Sequence, residues 1–390
     1  MSSELGSAHL TSVLRRLLHL LRSTALFLEK RDALFWHSGL ALPNSRLQVS
    51  PLKDCVTLVD PTSPYSFLNN LAVHGRLYSF VNKRNASTSR QEFIEYYRWV
   101  AGRLNTLRFS EDVMDVVPFT DGYRISTNTT TYLARAVVVG VGVEPKIPPC
   151  ARSLLCDTVF HAADYLERQL PHAAEHVLVV EGGQSGAEII EDMLTRSVST
   201  QITWATSRSN LFSMDDNSFV NKTYTPSYSR RFHALPLQQR RDIVEGAMLT
   251  SDGNSVDLCN RLYEMLYERS VDGTLADRFR VLSSIVVKDS TSHKKRWRVD
   301  LDEIATQRNS CIHVDRIVLG TGFQPRTPPF LEASSRVRVW KMACPYSART
   351  TQSASVGTCQ DQFIYKIKAA CSTDCRVPIY LWWRTATAKY

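Results

Sequence analysis

The sequence predicts an α/β fold of two Rossmann-like nucleotide-binding units, one of them incomplete, with a small helical insertion in the second. Three observations predict it. Residues 176–190, His-Val-Leu-Val-Val-Glu-Gly-Gly-Gln-Ser-Gly-Ala-Glu-Ile-Ile, read as buried strand, glycine-rich turn and helix. Residues 24–30, Thr-Ala-Leu-Phe-Leu-Glu-Lys, read as a short strand ending in Glu29. A carboxylate at that place in a doubly wound unit meets a ribose hydroxyl. Residues 314–323 run apolar into Gly320-Thr321-Gly322, whose glycines admit a close ligand or a tight exit.

The first element is the most specific. Val177 to Val180 are apolar, and Ala187, Ile189, Ile190, Met193 and Leu194 follow at helical spacing. A dinucleotide pyrophosphate would rest on backbone N–H groups where that helix begins. The usual G-x-G-x-x-G reads here Glu181-Gly182-Gly183-Gln184-Ser185-Gly186, with a carboxylate in place of the first glycine. Before Glu29 the matching loop is missing: residues 1–23 contain Gly6 alone and no apolar β run.

At 390 residues the chain is long enough for two or three domains, each with its own core. Net charge is +9, but the basic residues are scattered apart from Lys294-Lys295-Arg296, and no nucleic-acid motif accompanies them. Such an excess suits phosphorylated cofactors, or is simply a solvated basic surface. Nine cysteines with no C-x-x-C spacing imply free thiols and no metal centre. Leu14-Arg15-Arg16-Leu17-Leu18-His19-Leu20-Leu21-Arg22 is either a mitochondrial presequence or an ordinary first helix, the latter preferred. It is too short and too charged to span a membrane, so a cytoplasmic protein is expected.

Residues 35–70 lack periodicity but are rich in aromatic and polar groups, as site-lining loops often are. Residues 90–107 form an amphipathic helix, with Phe93, Ile94, Tyr97, Val100, Ala101 and Leu104 inward. A meander follows at 113–119 and 123–127, then a run at 132–142 closed by Pro145, Pro148 and Pro149. Residues 201–206 are the next strand. Arg208 lies in the loop after it, either to meet the 2′-phosphate of NADPH or merely solvated. Residues 211–270 read as a helical insertion with its own site. Strands resume at 278–288 and 295–302 as a hairpin, and residues 331–390 read as poorly ordered.

In order along the chain, a set of short motifs is similar to the flavin-dependent N-hydroxylating monooxygenases, specifically fungal L-ornithine N5-monooxygenases of siderophore biosynthesis. The carriers are Phe-Leu-Glu-Lys (27–30), Phe-Trp-His-Ser-Gly (35–39), Leu-Gln-Val-Ser-Pro-Leu-Lys-Asp (47–54), Thr-Leu-Val-Asp-Pro (57–61) and Tyr-Ser-Phe-Leu-Asn-Asn-Leu (65–71). His-Gly-Arg-Leu (74–77), Glu-Phe-Ile-Glu-Tyr-Tyr-Arg-Trp (92–99), Gly-Gly-Gln-Ser-Gly-Ala-Glu (182–188), Asp-Asp-Asn-Ser-Phe-Val-Asn (215–221) and Gly-Thr-Gly-Phe (320–323) continue the series.

The resemblance implies FAD and NADPH as cofactors, with L-ornithine and O₂ as substrates. NADPH reduces FAD, O₂ adds as a C4a-hydroperoxide, and the neutral side-chain amine attacks its distal oxygen. The flavin carries the chemistry, so no side chain is assigned a catalytic role. Lys53 matches the lysine that pairs with the substrate carboxylate, and Asn221 an asparagine on the amino-acid head group. A second substrate asparagine falls at Asn254, with Asp252 as the alternative. Glu29 is assigned to the FAD ribose. Trp36, His37 and Gln48 match flavin-site residues, Gly183, Gln184 and Ser185 match the NADPH loop, and Arg208 and Gly322 complete the cofactor set.

The implied organisation is a divergent leader at 1–23, an FAD unit at 24–165 rejoined by 312–330, and an NADPH unit at 170–210 and 271–311. The substrate insertion is 211–270, and 331–390 is a divergent tail. A homo-oligomer is compatible with it. Two other outcomes stay open: a member that has lost flavin binding, and an N-hydroxylase of lysine or a diamine.

Overall fold

The computed structural model describes residues 25–83, 87–168, 175–196, 199–275, 278–293, 296–326, 328–332 and 379–382. The leader 1–23 and most of the 331–390 tail lie outside the described residues. From strand β1 (Leu26–Leu28) the chain passes a 3₁₀ turn at Ser38–Leu40 to helices α1 (Phe67–Val73), α2 (Leu77–Asn82) and α3 (Arg90–Ala101). Strands β2 (Leu107–Arg108), β3 (Val113–Phe119), β4 (Gly122–Thr127), β5 (Thr131–Ala134), β6 (Val137–Gly140), β7 (Val143–Pro145) and β8 (Val159–His161) follow. Next come β9 (His176–Val180), α4 (Gln184–Arg196) and β10 (Gln201–Ala205). A 3₁₀ turn at Val220–Tyr224 opens the helical stretch of α5 (Pro226–Ala234), α6 (Leu237–Gly246), α7 (Leu249–Asp252) and α8 (Val256–Val271). Strands β11 (Phe279–Leu282), β12 (Ile285–His293), β13 (Arg296–Glu303), β14 (Asn309–Val314), β15 (Arg316–Leu319) and β16 (Phe323–Pro325) lead to α9 (Pro329–Glu332); β17 is Ile379–Trp382.

Five parallel strands in the order β11-β10-β9-β15-β8 form the better-built sheet. Alternate residues of its strands enter two cores. Val177, Val179, Ile202, Trp204 and Val318 pack with α4 and α8. Leu178, Val180, Ala205, Ile317 and Leu319 pack against Val299, Leu301 and Val314 of the β12-β13-β14 meander. Burial on both faces is why these strands read as continuous apolar runs. Because β10 and β11 are parallel neighbours, the chain between them has to cross a sheet face. Helix α8 makes that crossing, with Leu258 and Leu262 in the α4 core. The insertion proper therefore ends before Val256, short of the boundary expected at 270.

A second parallel sheet has the order β2-β1-β17-β6. Its β17 lies between β1 and β6, in the place beside the Glu29 strand where a first strand is expected. The β3-β4-β5 meander packs Val116, Ile125 and Ala134 on Leu28. Helices α1 and α3 enclose an aromatic cluster of Trp36, Phe67, Phe93, Tyr96 and Tyr97.

Five expectations are corrected. Strands β8 and β15, assigned to the FAD unit at 24–165 and 312–330, both pair in the five-stranded sheet. The strand expected over 278–288 is two strands, broken at Ser284, whose left-handed φ of 56° turns the chain out of the parallel sheet. The run at 132–142 is likewise divided between β5, β6 and β7, and the hairpin is a three-stranded meander. Within the 331–390 tail, Ile379–Trp382 is a strand.

Candidate dinucleotide and substrate site

Strand β9 is followed on one side of the sheet by β10 and flanked on the other by β15, so the sheet order reverses at its carboxyl end. Ligands of open α/β sheets bind in the crevice at such a point. The turn there is tight. Glu181 has φ 78°, a conformation suited to glycine. A Cβ on Gly182 would lie 2.8 Å from Leu211 Cδ2 and 2.9 Å from Thr206 Oγ1. One on Gly320 would lie 2.8 Å from the Val180 carbonyl oxygen. Gly183 accepts from Ala187 N at 3.1 Å, and the N–H groups of Gln184 and Ser185 in the first turn of α4 have no intrahelical acceptor. These glycines leave bare backbone at a helix N-terminus, which fits a dinucleotide pyrophosphate. The Glu181 carboxylate turns away from this helix start: both its oxygens accept from Ser207 Oγ, at 3.1 and 3.2 Å.

The side chain of Gln184 is taken up internally. Its amide donates to Glu188 Oε1 at 3.0 Å, and its Oε1 accepts from Ser255 N at 2.8 Å. Glu188 in turn receives both Arg90 guanidinium nitrogens at 2.9 Å, a buried bidentate pair between α4 and α3. Asn254 is fully buried, and its Nδ2 donates to Gly182 O at 2.9 Å and Phe212 O at 3.3 Å. It therefore ties the insertion to the glycine turn, while its buried Oδ1 has no hydrogen-bond partner among the described residues. Arg208 is also engaged: Nη1 donates to Asp252 O at 2.6 Å, and Nη2 lies 3.8 Å from Asp252 Oδ2. Asn254 and Asp252, the two alternatives for one role, thus bond two different loops: Asn254 the glycine turn after β9, and Asp252 the Arg208 loop after β10.

Lys53 and the 3₁₀ turn of the insertion come together from distant parts of the chain. Lys53 Nζ lies 5.6 Å from the centroid of the Tyr224 ring, and Tyr224 Oη donates to Thr250 O at 3.1 Å. Asn221, on the same turn, donates from Nδ2 to Asp216 Oδ1 at 2.7 Å. Two residues that lie within the quoted motifs but carry no assigned role fix the Lys53 loop. Buried Asp54 accepts from Val56 N, Thr57 N and Phe67 N at 2.6–2.9 Å, clamping the Lys53 loop to the start of α1. Tyr96 Oη accepts from Cys55 N at 3.2 Å and donates to Tyr65 O at 2.8 Å. Burial, with Cys55 and Asp54 nearby, pushes its pKa well above that of a free phenol, so it remains a donor.

On the flavin side, Glu29 is buried at the end of β1 and accepts from Arg31 N at 3.0 Å. Trp36 is a core residue, edge-on to His37 and Tyr97 with centroids 4.5 and 5.1 Å apart. His37 is buried with φ 53°. Gln48 Nε2 is a buried donor with no hydrogen-bond partner among the described residues, which fits an acceptor on a bound ring system. Gly322 has φ 75°, and its carbonyl accepts from Lys146 N at 2.8 Å and His161 Nε2 at 2.9 Å. Because His161 Nδ1 accepts from Ala163 N, the ring proton sits on Nε2. These residues fit the ring and ribose parts of FAD. Strand β17, beside β1, is followed in sequence by Trp383-Arg384-Thr385, with no glycine turn for its pyrophosphate.

The family model for L-lysine 6-monooxygenase/L-ornithine 5-monooxygenase matches residues 5–325, which takes in most of the segment expected to be a divergent leader. The L-lysine N6-monooxygenase of Escherichia coli is 30% identical over 311 residues, 78% of this chain and 73% of that protein. The ornithine hydroxylase structure from Pseudomonas aeruginosa superposes with a TM-score of 0.77 at 28% identity, covering 85% of this chain and 83% of that one. An ornithine N-hydroxylase from Kutzneria sp. 744, solved with reduced FAD, NADP⁺ and L-ornithine, gives 0.73 at 26% identity, covering 78% and 76%. The chain belongs to the L-lysine 6-monooxygenase/L-ornithine 5-monooxygenase family.

Proposed function

We propose that this chain N-hydroxylates the side-chain amine of L-ornithine with FAD, NADPH and O₂, the first step of hydroxamate siderophore biosynthesis. The observation that carries the reading is the approach of Lys53 to Tyr224: a cation on the FAD side faces the insertion that bears Asn221. A zwitterionic amino acid needs a cation for its carboxylate and uncharged groups near its amine, which has to be neutral to attack oxygen. Lys53 would hold the carboxylate and Asn221 the head group. Gln48 would donate to the flavin ring, Glu29 would meet the FAD ribose, and Gly183, Gln184 and Ser185 would receive the NADPH pyrophosphate. Bound FAD, reduced by NADPH, supplies the oxygen-transfer chemistry. Trp36 and its aromatic neighbours supply a dry wall.

Purified protein incubated with FAD is expected to turn yellow and to oxidise NADPH faster when ornithine is present; a protein that stays colourless would overturn the reading. Lysine or putrescine turned over as well as ornithine would defeat the ornithine assignment alone. Lys53→Ala is expected to raise the ornithine KM roughly 10- to 100-fold, the value of a charge-assisted contact. The NADPH KM should stay within about twofold, and equal losses for both would contradict the role of Lys53.

One observation favours a second reading, a family member without flavin. Strand β17 holds the place beside β1, and no glycine turn follows it in sequence. The colourless outcome is the one this second reading expects.

A further inference from the structure

In a doubly wound nucleotide domain, the acid that binds the adenosine ribose stands at the end of the second strand. Here β10 ends Ala205-Thr206-Ser207-Arg208, with no acid. A carboxylate reaches the same place from the neighbouring strand. Glu181 N donates to Ala205 O at 2.7 Å and Trp204 Nε1 donates to Glu181 O at 2.9 Å, so its backbone is fixed against the end of β10. Its left-handed φ sends the side chain across to Ser207, which donates to both carboxylate oxygens. The cation that would neutralise a 2′-phosphate is occupied: Arg208 is held by the Asp252 carbonyl and faces its carboxylate, and its side chain is only 15% exposed. The one cation of this loop thus faces the Asp252 carboxylate, while among the described residues the Glu181 carboxylate is bonded only through Ser207.

From this geometry we infer that Glu181 sets the pyridine-nucleotide preference of the chain. It accepts a free ribose diol and repels a 2′-phosphate, so NAD(H) is bound at least as tightly as NADP(H). The inference rests on the reading of the β9 turn as a dinucleotide site, and deepens it. A carboxylate accepts hydrogen bonds from hydroxyl groups, whereas a dianionic phosphate a few ångströms away meets like-charge repulsion.

Calorimetric titration of the full chain with NAD⁺ and NADP⁺ needs no flavin turnover. Wild type is expected to bind NADP⁺ no more tightly than NAD⁺. Glu181→Gln keeps the side-chain shape and removes the charge. It should tighten NADP⁺ about tenfold or more while NAD⁺ changes less than about threefold, the sense a like-charge contact dictates. Glu181→Gly, which also suits the backbone, should do the same. Wild type favouring NADP⁺ tenfold, or both nucleotides shifting equally in the variants, would overturn the inference while leaving the dinucleotide site standing. Failure of either nucleotide to bind any of the three proteins would overturn the dinucleotide reading and the inference with it.

Discussion

Glu188→Ala is expected to lower the unfolding free energy by about 3–5 kcal/mol, because it leaves the Arg90 guanidinium buried without its counter-charge. The pair is bidentate, and both side chains are less than one-tenth exposed. Arg90 also donates to Leu40 O, and Glu188 also accepts from Gln184, so the loss would spread to the FAD-side loop and the glycine turn. Replacing both members with apolar residues, Arg90→Met with Glu188→Leu, should restore most of the stability, since a buried ion pair rarely outperforms well-packed apolar groups. Urea denaturation of the three proteins checks this. A single variant within about 1 kcal/mol of wild type would mean that water reaches the pair.

Gly39→Ala is expected to cost about 3 kcal/mol or more through overpacking against backbone. The added Cβ would fall 1.8 Å from the Ala163 carbonyl oxygen and 3.1 Å from Asp164 Cα. Neither is the end of a flexible side chain, so two segments have to separate. Those segments are the 3₁₀ turn after His37 and the one after β8, and they join the flavin-side loop to the nucleotide sheet. Thermal melting should fall by several degrees, and FAD retention should fall with it. An unchanged melting temperature would show that the close approach is not required.

The nucleotide core was legible because its signals are local. Val177–Val180 is apolar on both faces, the glycines follow at once, and Ile189, Ile190, Met193 and Leu194 repeat at helical spacing. Lys53 and Asn221 stand out through motifs alone; Lys53 lies against Tyr224 of the 3₁₀ turn that also carries Asn221. What escaped is long-range. A three-residue run such as Val159–His161 says nothing about which sheet it will join, and Ser284 carries no mark of its left-handed φ. The partner of Arg90 is 98 residues away and that of Arg208 is 44 away, separations at which no periodicity reports. Asn254 and Asp252 could not be told apart in sequence because their roles depend on which loop each one bonds.

The position of β17 sets the order of events during synthesis. Leu26 pairs with Ile379, so β1 waits until the whole five-stranded sheet has been synthesised before its own sheet is complete. The five-stranded sheet has no such delay, since its strands lie between Val159 and Leu319 and can dock as they emerge. Until residues 379–382 arrive, β1 and β6 expose facing unpaired edges, the kind of surface that captures other chains. Closing so long a loop is slow, so these edges stay open longer than any in the five-stranded sheet.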